Sequence, residues 1–243
     1  MLRNFKADLH IHTCLSPCTD LDMSPQAIAL QAKNREIDIL GICDHNSAEN
    51  VPALMQAADR FAIRVLPGME VTSQEEVHVL ALFDELEPAL ALQEIVYANL
   101  PGENDEEAFG MQVVVNAEGE VLHFNPRLLI GASTLSIEEV VGHIKALDGL
   151  AIASHIDREG FSLLGQLGFV PEHLALDALE ISPRISLAEA ERRFHPQLPL
   201  TCASDAHYVD DIGTGYTTFF IKDRTTREIR RALRNEDGRK ISH

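Results

Sequence analysis

The chain has 243 residues, 45% of them hydrophobic and 24% charged, an ordinary globular composition with room for a large core. Its formal net charge of -18 argues against a broad phosphate-tracking surface, although bound divalent cations can still serve an anionic substrate. Aromatics are only 5%, no apolar run nears the ~20 residues of a bilayer span, and residues 1–8 hold no apolar signal core, so we expect a cytoplasmic protein with no membrane role and reduced thiols.

Residues 5–12 alternate as a strand, with Phe5, Ala7, Leu9 and Ile11 on one face and Lys6, Asp8, His10 and His12 on the other. Two imidazoles side by side on a rigid strand can present nitrogen ligands to a metal, but an isolated His-x-His needs partners to mean anything. Ser24 and Pro25 read as N-cap and first residue of a helix to about Lys33. Ile37 to Cys43 is a short apolar strand ending in Asp44-His45-Asn46, and Asn50 with Pro52 opens another helix. Ile63 to Leu66 is a third strand, closing on Pro67-Gly68-Met69-Glu70. Glu76 to Phe83 is a fourth, with His78 opposite Val77, Val79 and Ala81.

After a helix over about 87–98 the rhythm breaks. Val113 to Val115, a turn at 116–120 and Val121 to Phe124 read as a β-hairpin. Residues 99–135 are too few for a core of their own, so they are taken as an insertion in a single domain spanning 1–243. Ser136 and Glu139 match a capping box opening a helix to about Leu147. Strands follow at 150–154, ending at His155; at 179–182, ending near Arg184; at 200–204, ending at Asp205-Ala206-His207; and at 216–221. A short helix from Ser186 and a last one over 226–234 complete the alternation.

Strands alternating with helices predict a mainly parallel sheet in an α/β fold. His10, His12, Asp44, His45, Glu70, His78, His155, Asp205 and His207 all fall at or near the C-terminal ends of predicted strands. Barrels build their sites on that rim, and only a closed ring would gather nine such residues, so a TIM-like barrel is expected.

These donors suit Zn, Mn or Fe(II) better than Ca or Mg and are too many for one tetrahedral ion. Glu70 is the natural bridge. Two metals about 3.5–4 Å apart can share a hydroxide and clamp both oxygens of a phosphoryl displacement. In that scheme the bridging hydroxide attacks, Asp205 orients or deprotonates it, and His207 protonates the leaving oxygen. Arg158 and Arg184 can hold a phosphate bidentately or pair with surface carboxylates. Asp8 reads as a group orienting an imidazole, while His123, His143, His173, His195 and His243 read as surface or packing residues. Cys14 and Cys18 have zinc-finger-like spacing but no second pair, and Cys43 and Cys202 read as small buried groups.

The ordered motifs DLHIHT (8–13), DHN (44–46), PGMEV (67–71), EVH (76–78), SHID (154–157) and SDAH (204–207) resemble the PHP family, the polymerase and histidinol phosphatase domain, over nearly the whole chain. The resemblance implies a distorted (β/α)7 barrel, carrying the hairpin as an insertion, with a site for up to three metals. Carried over by position, His10, His12, Glu70 and Asp205 resemble ligands of the first metal, Glu70, His78 and His155 of the second, and His45 and His207 of the third, with Asp44 in the same motif. Several members add a His or Asp six residues beyond the second His. Cys18 stands there in this chain, followed by Asp20 and Asp22. The implied activity is phosphoester hydrolysis: histidinol-phosphate phosphatase, nucleotide phosphatase or exonuclease. The expected substrate is a small phosphomonoester or nucleotide phosphate, not an extended nucleic acid. Two alternatives stand beside it. Metal-dependent amidohydrolases, which cleave amides or lactones, also open with His-x-His but commonly bridge metals with a carboxylated Lys, where this chain has Glu. A non-catalytic metal-binding accessory module is the other.

Overall fold

The computed structural model describes residues 1–242; His243 lies outside the described residues. The chain opens with β1 (Arg3–Ile11), α1 (Pro25–Asn34), β2 (Ile39–Ile42), α2 (Val51–Asp59), β3 (Arg64–Leu66), β4 (Gly68–Thr72), β5 (His78–Leu82) and α3 (Leu86–Ala98). The expected insertion holds the single-turn α4 (Glu106–Phe109) and the hairpin β6 (Val113–Val115) and β7 (Val121–Phe124). Then come α5 (Ile137–Ala146), β8 (Leu150–Ala153), α6 (Leu163–Leu167), β9 (Ala178–Ile181), α7 (Leu187–Phe194), β10 (Leu200–Cys202), β11 (Thr217–Ile221), α8 (Thr226–Leu233) and β12 (Lys240–Ser242).

Helix starts follow capping chemistry. The Ser24 hydroxyl accepts from Ala27 N ahead of Pro25, and Ser136 with Glu139 forms the expected capping box on α5. Ser162 caps α6, which closes on Gly168 in the left-handed region at φ 78°. No helix among the described residues is long and apolar enough to cross a membrane.

The fold is mixed α/β, but the sheet is not mainly parallel and the pairing is not one continuous ring. One five-stranded sheet runs β12-β11-β1-β2-β3 and a second runs β10-β9-β8-β5-β4. The pairs β1–β2, β2–β3, β8–β9 and β9–β10 are parallel, whereas β1–β11, β11–β12, β4–β5 and β5–β8 are antiparallel. The antiparallel element within the second sheet arises because Pro67-Gly68 begins a strand where the sequence suggested that one ended. A Cβ on Gly68 would stand 2.2 Å from the Ala81 carbonyl oxygen, so only glycine allows β4 this close to β5.

The two sheets meet at isolated bridges, Ile11 with Ala206 and His45 with Glu70. His12 N donates to Ala206 O (3.1 Å) at one seam, and Asn46 N donates to Glu70 O (2.9 Å) at the other. Phe5, Leu9, Leu66, Leu80, Leu82, Leu150 and Ile152 share the core between the sheets, while Ile28, Leu54, Val71, Leu92 and Ile144 belong to the core under the helices.

Strict alternation along β1 fails. The β1–β2 register shifts between Asp8 and Ile11, and Ile11 joins the helix-side core while Phe5, Ala7 and Leu9 stay between the sheets. A bulge of this kind re-aims side chains, and here it brings His10 and His12 to the inner side that strict alternation would have denied them.

Candidate metal centre

Five imidazoles surround one carboxylate. Glu70, 1% exposed, places Oε1 3.0 Å from His78 Nδ1, 3.4 Å from His10 Nε2 and 3.5 Å from His155 Nε2. Its Oε2 lies 3.2 Å from His45 Nδ1 and 3.6 Å from His12 Nε2. Asp205 stands beside them, with Oδ1 3.1 Å from His12 Nε2, 3.2 Å from His10 Nε2 and 3.6 Å from His207 Nδ1.

All but Glu70 arrive from a strand end or the residues just beyond it; Glu70, expected to follow a strand, sits at the middle of β4 because that strand begins at Gly68. His10 lies in the bulged end of β1 and His12 just past it; His45 follows β2, His155 follows β8, and Asp205 with His207 follows β10. His155 and Asp205 turn there with positive φ, 29° and 50°. His78 is the first residue of β5, not near the end of a strand as expected. Because β5 runs antiparallel to β4 and β8, its beginning lies at the same rim.

Three groups of ligand atoms lie within 4.8 Å of one another: His10, His12 and Asp205; His45, Glu70 and His78; and His12, His45 and His207. The donor chemistry fits divalent cations. His45 Nδ1, His78 Nδ1, His155 Nδ1 and Glu70 Oε1 are buried with no hydrogen-bond partner, a cost that a bound cation would remove for the atoms facing it.

At Glu70, Asp205, His12 and His45, though not at His10, the electrostatics favour the ligating protonation states. Burial opposes ionisation of Glu70, but His78 and His10 outweigh it and hold the carboxyl well below the usual carboxylate range. Asp205 is held low against the same burial cost by His10 and His12. Burial and then His207 push His12 down to about 4, and burial followed by His12 lowers His45. His10 moves the other way: burial disfavours its charge, but Glu180, Asp205 and Glu70 together raise it. Anionic carboxylates beside neutral imidazoles are the forms that bind metal.

Two sequence assignments change. Asp44 does not face the cluster. Its Oδ1 accepts from Thr13 N and Ser16 Oγ and its Oδ2 from Thr13 Oγ1, each at 2.7 Å, and Ser16 Oγ in turn lies 3.0 Å from His12 Nδ1. Asp44 therefore positions the loop that orients His12. Asp8 does not orient an imidazole: it accepts from the backbone nitrogens of Ser204 (3.0 Å) and Gly213 (2.8 Å). The orienting carboxylate is Glu180 on β9, absent from the expected set, whose Oε1 lies 2.9 Å from His10 Nδ1 and 3.2 Å from His155 N. A signal existed, since a glutamate within the apolar run Ala178-Leu179-Glu180-Ile181 is out of place unless paired.

A cavity of about 670 Å³ opens over the cluster, walled by His45, Glu70, His78, Arg158, Phe161 and Arg184 among others. Arg158 NH1 lies 2.6 Å from Asp205 Oδ2. Cys18 lines the same cavity, exposed and outside the three ligand groups. Ile130 of the inserted segment also reaches this wall. Phe161 was not anticipated; its ring stacks on His78 at 4.8 Å and its carbonyl accepts from His78 N. His123 and His173 lie elsewhere, paired with Glu49 and Glu138, and His195 ends α7. Buried Cys14 packs against Val113 and Val115 of the hairpin.

The sequence model described as the PHP domain matches residues 8–187, and that described as PHP-associated matches residues 193–237. The 5'-3' exoribonuclease of Haemophilus influenzae is 28% identical over 89 residues, covering 35% of this chain and 31% of that protein. The phosphoribosyl 1,2-cyclic phosphate 1,2-diphosphodiesterase of Eggerthella lenta is 29% identical over 90 residues, covering 35% and 33%. The match thus spans about a third of the length of these relatives. Among solved structures, the lesion-specific endonuclease PfuEndoQ from Pyrococcus furiosus is similar with TM-score 0.69 and 22% identity, over 98% of this chain and 58% of that one. An amidohydrolase from Chromobacterium violaceum is similar with TM-score 0.57 and 20% identity, over 86% and 90%. At these identities the likeness is one of fold.

Proposed function

This chain belongs to the PHP domain family, and from that premise we propose that it is a metal-dependent phosphoesterase cleaving a small phosphate ester or nucleotide phosphate. The observation that carries the reading is the ring of imidazoles about Glu70 beneath a cavity whose wall bears two guanidiniums. We read the two bridged sheets as halves of the distorted (β/α)7 barrel, and residues 1–243 as one unit with 99–135 inserted.

Two or three divalent cations, Zn, Mn or Fe, would be held by His10, His12, His45, Glu70, His78, His155, Asp205 and His207, with Asp44 and Cys18 outside the set. Such ions polarise phosphoryl oxygens and lower the pKa of water. The protein's own groups do the rest. Arg158 and Arg184 grip phosphate oxygens with forked donors. Asp205, already aligned by Arg158, orients the attacking water, and His207 gives a proton to the leaving oxygen. Glu180 accepts from His10 Nδ1–H, which aims Nε2 at Glu70 and Asp205, where a cation would take the place of a proton.

A nucleic-acid end is a second reading, favoured by the names of the exoribonuclease and endonuclease relatives. A net charge of -18 speaks against a long duplex track, not against a few nucleotides at two arginines. Amide hydrolysis ranks lower because Glu70 occupies the bridging place.

Elemental analysis of purified protein, paired with a phosphoester panel in Mn, Zn and Fe, tests the proposal. We expect about two or more metal equivalents per chain and turnover abolished by a chelator, with Glu70→Gln losing most of both. Metal-loaded protein inert to every phosphoester would overturn it.

A further inference from the structure

We propose that the end of the fold opposite the imidazole cluster holds a second binding site, which takes a small phosphate-bearing anion between Arg3, Arg64, Lys222 and Arg224.

The cavity there, of about 410 Å³, shares no residue with the one over the cluster. Strand direction places it. β1 begins at Arg3 and runs to His10, and β3 begins at Arg64 and leads towards Glu70. Lys222 follows β11, whose Ile221 pairs with Arg3, and Glu85 lies beyond the end of β5, the strand that starts at His78. Each of these groups therefore sits at the end of its strand away from the imidazoles.

The charge of this wall inverts that of the chain. Asp and Glu outnumber Lys and Arg by 38 to 20, yet four cations line the cavity against two carboxylates, Glu85 and Asp223. Asp223 reaches Lys222 at 3.9 Å, a pairing of two exposed groups that is worth little. The three arginines have no carboxylate partner among the described residues. Arg64 donates instead to the Asp84 carbonyl, and Arg224 to the carbonyls of Asp38 and Ala62. The Asp84 carboxylate is already taken, by Thr226 N at 2.7 Å and Thr226 Oγ1 at 2.9 Å.

Carbonyls fix these guanidiniums in place without neutralising them. Arg3 and Arg224 both flank the Phe5 ring, their guanidinium carbons 4.5 and 5.9 Å from its centroid. Arg64 and Arg224 are half-buried, where like charges repel more than they would in water. Arg64 Nε is in addition buried with no acceptor. An anion between the side chains would relieve the repulsion.

Phosphate fits the donors best. Guanidinium forks match its oxygens two at a time. Four cations against two carboxylates leave an excess of two positive charges, close to the charge of about −1.5 to −2 that a phosphate monoester carries near neutral pH. The Thr225 hydroxyl accepts from Glu228 N and keeps its own O–H to donate. Helix α3 opens beside the cavity without a side-chain cap from Glu85, and a helix N-terminus favours negative charge.

Calorimetry in chloride buffer at neutral pH, with inorganic phosphate and then ribose 5-phosphate, tests the site on the full chain. Phosphate held over the cluster would be weakened in Arg184→Ala, so the equivalent that survives that substitution is the one in question. We expect about one such equivalent, weakened about tenfold by Arg3→Ala and by Lys222→Ala, the scale of one lost charge-assisted contact. Both side chains are exposed and make no hydrogen bond to the rest of the fold among the described residues, so folding is spared. Glu85→Gln should tighten binding about threefold as an opposing charge leaves, a gain that arginines with a purely structural role would not give. Equal affinity for the two probes names the free anion as ligand, and tighter ribose 5-phosphate names an organic phosphate; the same variants must weaken whichever binds. Binding that disappears in Arg184→Ala, or that ignores Arg3→Ala and Lys222→Ala, overturns the inference. So does the absence of binding by either probe up to about 10 mM.

Discussion

Glu180 on β9 grips His10 on β1 across the space between the two sheets, Oε1 to Nδ1 at 2.9 Å, and the same oxygen lies 3.2 Å from the backbone nitrogen of His155. A single atom thereby fixes the orientation of one imidazole and the placement of another. The carboxylate's other oxygen, buried, has no partner. Glu180→Gln keeps the shape but loses the negative charge facing the His10 N–H. We expect metal affinity to fall roughly 10- to 100-fold, read by competition with a chromophoric chelator, while the circular dichroism spectrum stays that of the wild type. Undiminished affinity would dismiss the orienting role.

The two arginines differ in their surroundings, and their variants should differ too. Arg158 is ion-paired with Asp205, whereas the Arg184 side chain pairs with no carboxylate among the described residues. Arg184→Ala should mainly raise KM, by about tenfold or more for one lost charge-assisted contact. Arg158→Ala should lower kcat more than it raises KM, because Asp205 loses its alignment. Steady-state kinetics on any accepted phosphoester checks this, and identical kcat and KM effects in both variants would refute the division of labour.

Far from the site, Glu228 and Arg239 form a two-pronged ion pair, Nε to Oε2 at 2.7 Å and NH2 to Oε1 at 2.9 Å. The bonds from Arg239, against a smaller opposing effect of burial and aided by Lys222 N, pull the Glu228 carboxyl from 4.5 down to about 2. Its folded value lies below its unfolded one, so the ionised group stabilises the fold fully above about 4.5, and that contribution is lost as pH falls through about 2. Urea melts at stepped pH should show the wild type losing its stability advantage over Glu228→Gln across that interval. Parallel pH curves for the two proteins would rule the pair out as a source of acid sensitivity.

Much of the candidate site was legible because its imidazoles and carboxylates stand in ordered motifs, most of them near strand boundaries, where an ionisable residue after an apolar run has few structural reasons to be there. His10, His12, His45, Glu70, His78, His155, Asp205 and His207 converge in space as that pattern suggested. Three things were hidden for physical reasons. The β1 bulge shows only in pairing with β2, so period-two reasoning placed Ile11 with Leu9. β4 begins at a Pro-Gly that reads as a terminator, which concealed the antiparallel pairing that brings His78 to the rim from a strand's start. The orienting role expected of Asp8 falls to Glu180, whose place in an apolar run marks it as buried and paired but does not say which imidazole across the fold it meets. The α/β class and the hairpin were readable; how the strands divide into two sheets was not.

The seams between the sheets have a dynamic consequence. His10, His12 and His45 come from one sheet, while Glu70, His78, His155, Asp205 and His207 come from the other, and the bridges Ile11–Ala206 and His45–Glu70 lie among them. A cation held here is therefore a cross-link between two separately paired bodies, fastened where backbone pairing is thinnest. Stripping it should loosen the seams before the sheets themselves. In hydrogen–deuterium exchange, the amides of His12, Asn46, Glu70 and Ala206, which bridge the sheets, should lose protection on chelation, while those inside β8 and β9 hold theirs. Uniform loss across both sheets would show instead that the molecule opens as one piece.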